Sequence, residues 1–96
     1  MSVTVYTGVL LEDFGLNCDE LARACGVSVE WVSLHVAAGV LPATGHGPEQ
    51  WRFSSLELRR ARRLYELERA YDAFPELAGL VLDLQDEIAR LRRRAG

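Results

Sequence analysis

The amino-acid sequence predicts a mainly α fold: a helix-turn-helix, a small β-hairpin wing and a long C-terminal helix. Three observations carry this reading. Capping residues and glycine stops punctuate two short segments that each show one apolar face. A stretch rich in Gly and Pro then leads into a run that alternates polar with aromatic residues. Finally, an apolar stripe with alternating spacings of four and three runs through the end of the chain. At 96 residues the chain is sized for one domain with a small core. We divide it into a winged helix-turn-helix domain over residues 1–74 and a dimerisation helix over residues 75–96.

The first eleven residues alternate briefly at Val3-Thr4-Val5-Tyr6, which suggests an edge strand or an extended arm. Asn17 is a good helix N-cap, and Glu20 stands where a capping box is completed. The helix that follows places Cys18, Leu21, Ala22 and Cys25 on one face, and Gly26 ends it. Ser28 caps the next helix, with Val27 able to staple onto Val32. There Val32, either His35 or Val36, and Val40 point inward, and Gly39 closes the segment. Two short helices joined by Gly26-Val27-Ser28 make a helix-turn-helix.

The wing is expected from residues 40–42 as its first strand and 51–53 as its second. Ser54 then caps a third helix, with Glu57 in the capping-box position and Phe53 able to staple onto Leu58. That helix runs to about Tyr71, with Leu64, Leu67, Tyr71 and Phe74 along one side. Pro75 suits the first turn of a fourth helix, where its missing N–H costs nothing.

Composition narrows the function. A net charge of -3 argues against a general nucleic-acid binder, because such domains are usually strongly basic. No stretch is long enough to cross a bilayer, and the N-terminus lacks a charged leader followed by an apolar run. A cytoplasmic location follows, with Cys18 and Cys25 reduced and structural. There is no nucleophile triad spacing and no glycine-rich phosphate loop, so no enzyme and no cofactor are expected. Of the two histidines, His35 reads as a packing residue and His46 as a loop residue.

The segment Glu20-Leu21-Ala22-Arg23-Ala24-Cys25-Gly26-Val27-Ser28, then Ala38-Gly39-Val40-Leu41-Pro42, then Trp51-Arg52-Phe53-Ser54, resembles the MerR-like winged helix-turn-helix pattern. A narrower resemblance, from about Val3 to Arg94, is to the CbpM chaperone-modulator family. It is carried by Arg60-Ala61-Arg62-Arg63-Leu64-Tyr65-Glu66-Leu67, by Tyr71-Asp72-Ala73-Phe74-Pro75-Glu76-Leu77 and by Asp83-Leu84-Gln85-Asp86-Glu87-Ile88-Ala89-Arg90-Leu91. The resemblance implies a protein that binds the J-domain of a CbpA-type co-chaperone and blocks its stimulation of the DnaK chaperone. The rival expectation is a MerR-like transcriptional regulator. Metal sensing is not expected, because Cys18 and Cys25 do not lie beside the C-terminal helix, where metal-sensing MerR regulators place their ligands.

Charge distinguishes the two. A helix read into the major groove needs donors for base edges and cations for phosphates. Residues 29–38 supply Glu30, Trp31, Ser33, Leu34 and His35 but no Arg or Lys, and the wing offers Arg52 alone, close to Glu49. DNA binding is therefore not expected of this helix. The resemblance implies a partner with a basic helix, against which carboxylates around an apolar centre are complementary. The candidate partner-binding residues are Glu20, Glu30, Trp31 and Leu34 near the helix-turn-helix, and Asp72, Glu76 and Asp83 further on. Glu12, Asp13, Asp19 and Asp86 extend the two acidic groups. Arg59, Arg60, Arg62 and Arg63, with Arg23, could instead grip phosphate. Glu57, Glu66 and Glu68 are interleaved among them, and Arg62 and Glu66 stand a helical turn apart, which reads as a salt-bridged solvated face.

The stripe Leu77, Val81, Leu84, Ile88 and Leu91 needs a covering surface. It could fold back on the third helix. The sharper expectation is a homodimer through this helix, antiparallel because the acidic half (83–87) would then meet the basic half (90–94) of the other chain.

Overall fold

The computed structural model describes residues 15–95. The arm expected in the first eleven residues, and Glu12 and Asp13, lie outside them. Four helices follow in order: α1 (Cys18–Cys25), α2 (Val29–Ala37), α3 (Ser55–Tyr71) and α4 (Pro75–Ala95).

Local chemistry sets each boundary. The Asn17 side chain accepts the Glu20 N–H at 2.8 Å, and the Glu20 carboxylate accepts the Asn17 N–H at 2.9 Å, so the capping box of α1 is complete. Gly26 ends α1 in the left-handed conformation, at φ 72°, which a side chain would resist. Ser28 Oγ accepts the Trp31 N–H at 3.0 Å and opens α2 after a turn of three residues. Ser54 and Glu57 form the second capping box, at the start of α3.

The core has two adjoining parts. In the first, Leu16, Cys18, Leu21 and Ala22 meet Val32 of α2, Leu41 and Phe53 of the connecting segment, and Ala61 of α3. In the second, Val40 and Leu64 meet Ala78 and Leu82 of α4. At the seam, a Cβ added to Gly79 would lie 2.6 Å from Val40 Cγ1, so α4 approaches Val40 as closely as a glycine permits. Inward selection in α2 falls on His35, which is 1% exposed, with Val36 only half-buried. The His35 ring stacks on Trp31 with centroids 3.6 Å apart, and its Nε2 lies 2.5 Å from a Glu68 carboxylate oxygen of α3. It ties α2 to α3 as a packing residue.

The expected wing is not a β-hairpin. Residues 40–42 do not pair with residues 51–53. The Val40 and Leu41 N–H groups both donate to the His35 carbonyl, at 3.2 and 3.3 Å, and extend the closure of α2. The Val40 carbonyl accepts from Arg60 Nε at 2.6 Å, and Pro42 has no N–H to give. With those backbone groups committed, residues 51–53 find other partners. Phe53 forms an isolated antiparallel bridge with Leu16, and Arg52 forms another with Thr44. A loop closed by a single bridge therefore stands where the ribbon was expected.

Candidate functional site

One face of the helix-turn-helix collects carboxylates from three parts of the chain. Val32 and His35 turn α2 inward, which leaves Val29, Glu30 and Leu34 on the outside. Leu34 is 56% exposed, while Trp31 is half-buried, stacked on His35 and edge-on to Tyr65 at 6.1 Å. At the N-terminal ends of α1 and α2 lies a notch lined by Asn17, Cys18, Asp19, Val29, Pro48 and Glu49. Glu30 is close enough to act electrostatically on Cys18. Burial raises the Cys18 thiol above the ordinary thiol range, and the Asp19 and Glu30 carboxylates raise it further. The notch thus pairs two apolar side chains, Val29 and Pro48, with an acidic surround. Glu20 stands beside it but is folded into the α1 capping box, so its first role is structural.

Glu49 and Pro48 enter this notch from the loop, and spacing along the chain gave no reason to place them there. The usable signal was composition: Glu49 is an acidic residue where a DNA-binding wing would need a cation.

The second predicted group is dispersed differently. Asp72 ends α3 in the left-handed conformation at φ 51°, and Glu76 lies in the first turn of α4; both are exposed. Asp83 is not free for a partner in the same way, because Arg60 Nη1 donates to it at 3.0 Å. Neither Asp72, Glu76 nor Asp83 lines the notch.

The arginines of α3 work mostly within the molecule. Arg60 bonds the Val40 carbonyl and Asp83, and Arg63 bonds Asp86 at 3.0 Å and Gln85 at 3.1 Å. Arg62 donates to the Ala24 carbonyl at 3.2 Å rather than reaching along its own helix to Glu66. These contacts run between elements, where the sequence suggested pairs along one helix. Those to Asp83, Gln85 and Asp86 exist because α4 packs against α3 and brings its carboxylates alongside. A phosphate would have to displace them.

The apolar side of α3 runs out of the core at its end. Leu64 is buried and Leu67 half-buried, but Tyr71 is 75% exposed and Phe74 is exposed as well. With Leu67 and Ala73, Tyr71 borders a shallow apolar groove continued by Leu77 and Val81 of α4. Along α4 the buried positions are Ala78, Gly79 and Leu82, and the stripe residues Leu77, Leu84, Ile88 and Leu91 are exposed. Only Val81 of the stripe is half-buried, beside Leu67 and Tyr71; from Leu84 onward the stripe is not covered by α3.

Among the described residues no helix is long and apolar enough to cross a membrane, and no three His, Cys, Asp or Glu side chains converge as a metal site. No family model matches the chain, and no solved structure matches it. Over 81 residues it is 32% identical to the chaperone modulatory protein CbpM of Pseudomonas entomophila (strain L48), an alignment that covers 80% of this chain and 76% of that relative. At that identity and coverage, the chain belongs to the CbpM family of chaperone modulatory proteins.

Proposed function

We propose that this protein binds the J-domain of a CbpA-type co-chaperone and so inhibits its stimulation of the DnaK chaperone. It acts by binding alone, without catalysis or cofactor, in the cytoplasm and as a homodimer. The observation that carries the reading is the outer face of α2. It presents Glu30 and Leu34 with no cation, beside a notch where Asp19 and Glu49 flank Val29 and Pro48. A basic helix laid there would gain charge complementarity at the rim and apolar contact at the centre. The relative's name as a chaperone modulator supports the same reading.

DNA is disfavoured on the same surface, where carboxylates repel phosphate. Three of the α3 arginines that could have compensated, Arg60, Arg62 and Arg63, are bonded to Val40, Asp83, Asp86, Gln85 and Ala24.

The test is calorimetric titration of a purified J-domain into the protein, repeated with Asp19→Arg and Glu30→Arg. Both side chains are exposed, so the fold should survive, as circular dichroism would verify. Binding weakened by about tenfold or more per reversal, equivalent to ~1.4 kcal/mol, is expected. Loss of binding should be matched by recovery of J-domain-stimulated DnaK ATPase activity. Undiminished affinity in both variants would remove α2 from the interface. A retarded DNA band at physiological salt, with no J-domain binding, would favour the regulator instead.

A further inference from the structure

The ring of His35 is held at both nitrogens, and its two partners fix where its protons lie. Nδ1 stands 2.7 Å from the Trp31 carbonyl oxygen, which can only accept, so Nδ1 carries a hydrogen. Nε2 stands 2.5 Å from Glu68 Oε2. One proton is required between those two atoms, because a bare ring lone pair and a carboxylate would repel each other there. The ring is 1% exposed and the Glu68 side chain 15%, so water does not readily replace either partner. The arrangement is that of an imidazolium against a carboxylate, their charges cancelling inside the protein. Glu68 is itself fixed, since its carbonyl accepts the Asp72 and Ala73 N–H groups that close α3.

This proton matters because of how α2 is seated. The closely packed helix pairs are α1 with α2, α1 with α3, and α3 with α4. The pair α2 with α3 is not among them, and at this end the two helices meet through long side chains. Trp31 and His35, one turn apart on α2, face Tyr65 and Glu68, one turn apart on α3. Glu30 and Leu34 of the outer face stand immediately before Trp31 and His35 in the chain. Any rotation of Trp31 and His35 about the axis of α2 carries Glu30 and Leu34 with it. Besides Glu68, the titratable and charged groups at this stack are Tyr65 and Arg69, whose guanidinium lies 5.5 Å from the Tyr65 ring centre. Val40 and Leu41, which bond the His35 carbonyl, carry no charge. Among the described residues no ion pair or hydrogen bond joins the ring to α1 or α4.

We propose that His35 and Glu68 are positioning residues for the partner-binding face of α2, and that the proton they share fastens it. With the proton in place the ring donates at both nitrogens, and α2 is tied to α3. When a rise in pH removes it, Nε2 has no hydrogen to give, the carboxylate turns to solvent, and α2 is free to rotate. On the acid side a further proton falls on Glu68, whose carboxyl still accepts from Nε2, so the tie survives there. Partner binding is thereby linked to pH through the interior of the protein, separately from the carboxylates at the rim. The inference rests on α2 being the J-domain face and adds a regulation to it.

Two readouts test it. In a Trp51→Phe background Trp31 is the one remaining tryptophan, and an imidazolium stacked on indole quenches its emission more than the neutral ring does. Without any J-domain, emission should rise in one step as the chain is titrated from about pH 5 to about pH 9. Glu68→Gln should remove that step, because its amide donates to a neutral Nε2 and holds the tie without the proton. The second readout is calorimetric affinity for the J-domain in the native chain, Glu68→Gln and Glu68→Ala. The J-domain brings titrating groups of its own, so each profile is read as a ratio to the others. Native affinity should fall relative to Glu68→Gln on the alkaline side, by at most about tenfold per pH unit for one linked proton. Glu68→Ala should bind weakly throughout; if it fails to fold, the other two profiles decide. Residues that only pack would give parallel profiles. No emission step in the Trp51→Phe chain, or the same step with Glu68→Gln added, would overturn the shared proton. An emission step with parallel affinity profiles would overturn the positioning role. A J-domain that binds none of the chains at any pH would defeat the proposed function, and the emission step would still decide whether the proton fastens α2.

Discussion

Around α1 and α2, eight buried residues drawn from the two helices, Leu16 just before them, the connecting segment and α3 close on one another in a single cluster. Along α4, a helix of 21 residues, only Ala78, Gly79 and Leu82 are buried, and every residue beyond Leu82 is exposed through Ala95. The two regions do not differ in apolar content so much as in where their apolar residues find neighbours. The helix-turn-helix brings its apolar faces together within a few dozen residues, joined by a turn that glycine makes tight. The last helix carries its apolar face beyond the reach of α3, and among the described residues nothing further is laid on it. Among the described residues the first region is complete, and the apolar side of α4 is left exposed.

The largest effect that could break this contrast is the loss of Phe53, a fully buried ring that links α1, α2 and α3. Phe53→Ala should cost ~3–5 kcal/mol in urea unfolding, whatever the protein concentration. Leu84→Ala should cost far less in dilute solution, and its cost should grow with concentration if the exposed seam is covered by a second copy. Equal costs, both independent of concentration, would erase the distinction. The seam between the regions gives the next effect. Gly79→Ala forces a Cβ against Val40, and overpacking of this kind costs ~1–3 kcal/mol. A neutral outcome would mean that α4 can slide away from Val40, and that the two regions are less firmly joined than Ala78 and Leu82 indicate.

The smallest effect is chemical. Cys18 lies in the complete region, its thiol raised first by burial and then by Asp19 and Glu30. A raised thiol holds its proton at neutral pH and becomes the reactive thiolate only as the pH climbs past the ordinary thiol range. Alkylation of Cys18 near pH 7.5 should therefore be slower than that of the same residue in urea, and Asp19→Asn with Glu30→Gln should speed it modestly. Equal rates in native and unfolded protein would show that the α1 end opens freely.

Much of the architecture was legible before any coordinates. Asn17 with Glu20, Gly26, Ser28, and Ser54 with Glu57 are local signals, because a cap is a contact between a side chain and a backbone group three residues away. They place the starts of α1, α2 and α3 without reference to the rest of the chain. Pro75 marks the start of α4 by the same local logic. The wing failed for the opposite reason. Alternation in residues 51–53 was real, but the strand expected opposite it had its N–H groups taken by His35 and a carbonyl taken by Arg60, one of them twenty residues away. Competition for backbone groups is a tertiary question.

The candidate site divides along the same line. That α2 carries carboxylate and apolar side chains and no cation is a property of composition, and it holds in any conformation. That Glu30 stands near Asp19, that Pro48 and Glu49 join them, and that Glu20 is spent on a cap required the chain to fold. The choice of His35 over Val36 for the interior was equally invisible, because Glu68 had to arrive from α3 before the ring could be buried with a polar partner. For α4 the repeat itself was written in the sequence, since heptad spacing defines one side of a helix regardless of surroundings. Only the packing of Ala78, Gly79 and Leu82 against α3 and Val40 decided that this side faces outward. Only the pairing of Asp83 and Asp86 with α3 moved the charges available to a partner from the middle of the helix to its ends. Spacing along the chain determines which residues share a face; which face is left uncovered is settled by what the rest of the chain brings beside it.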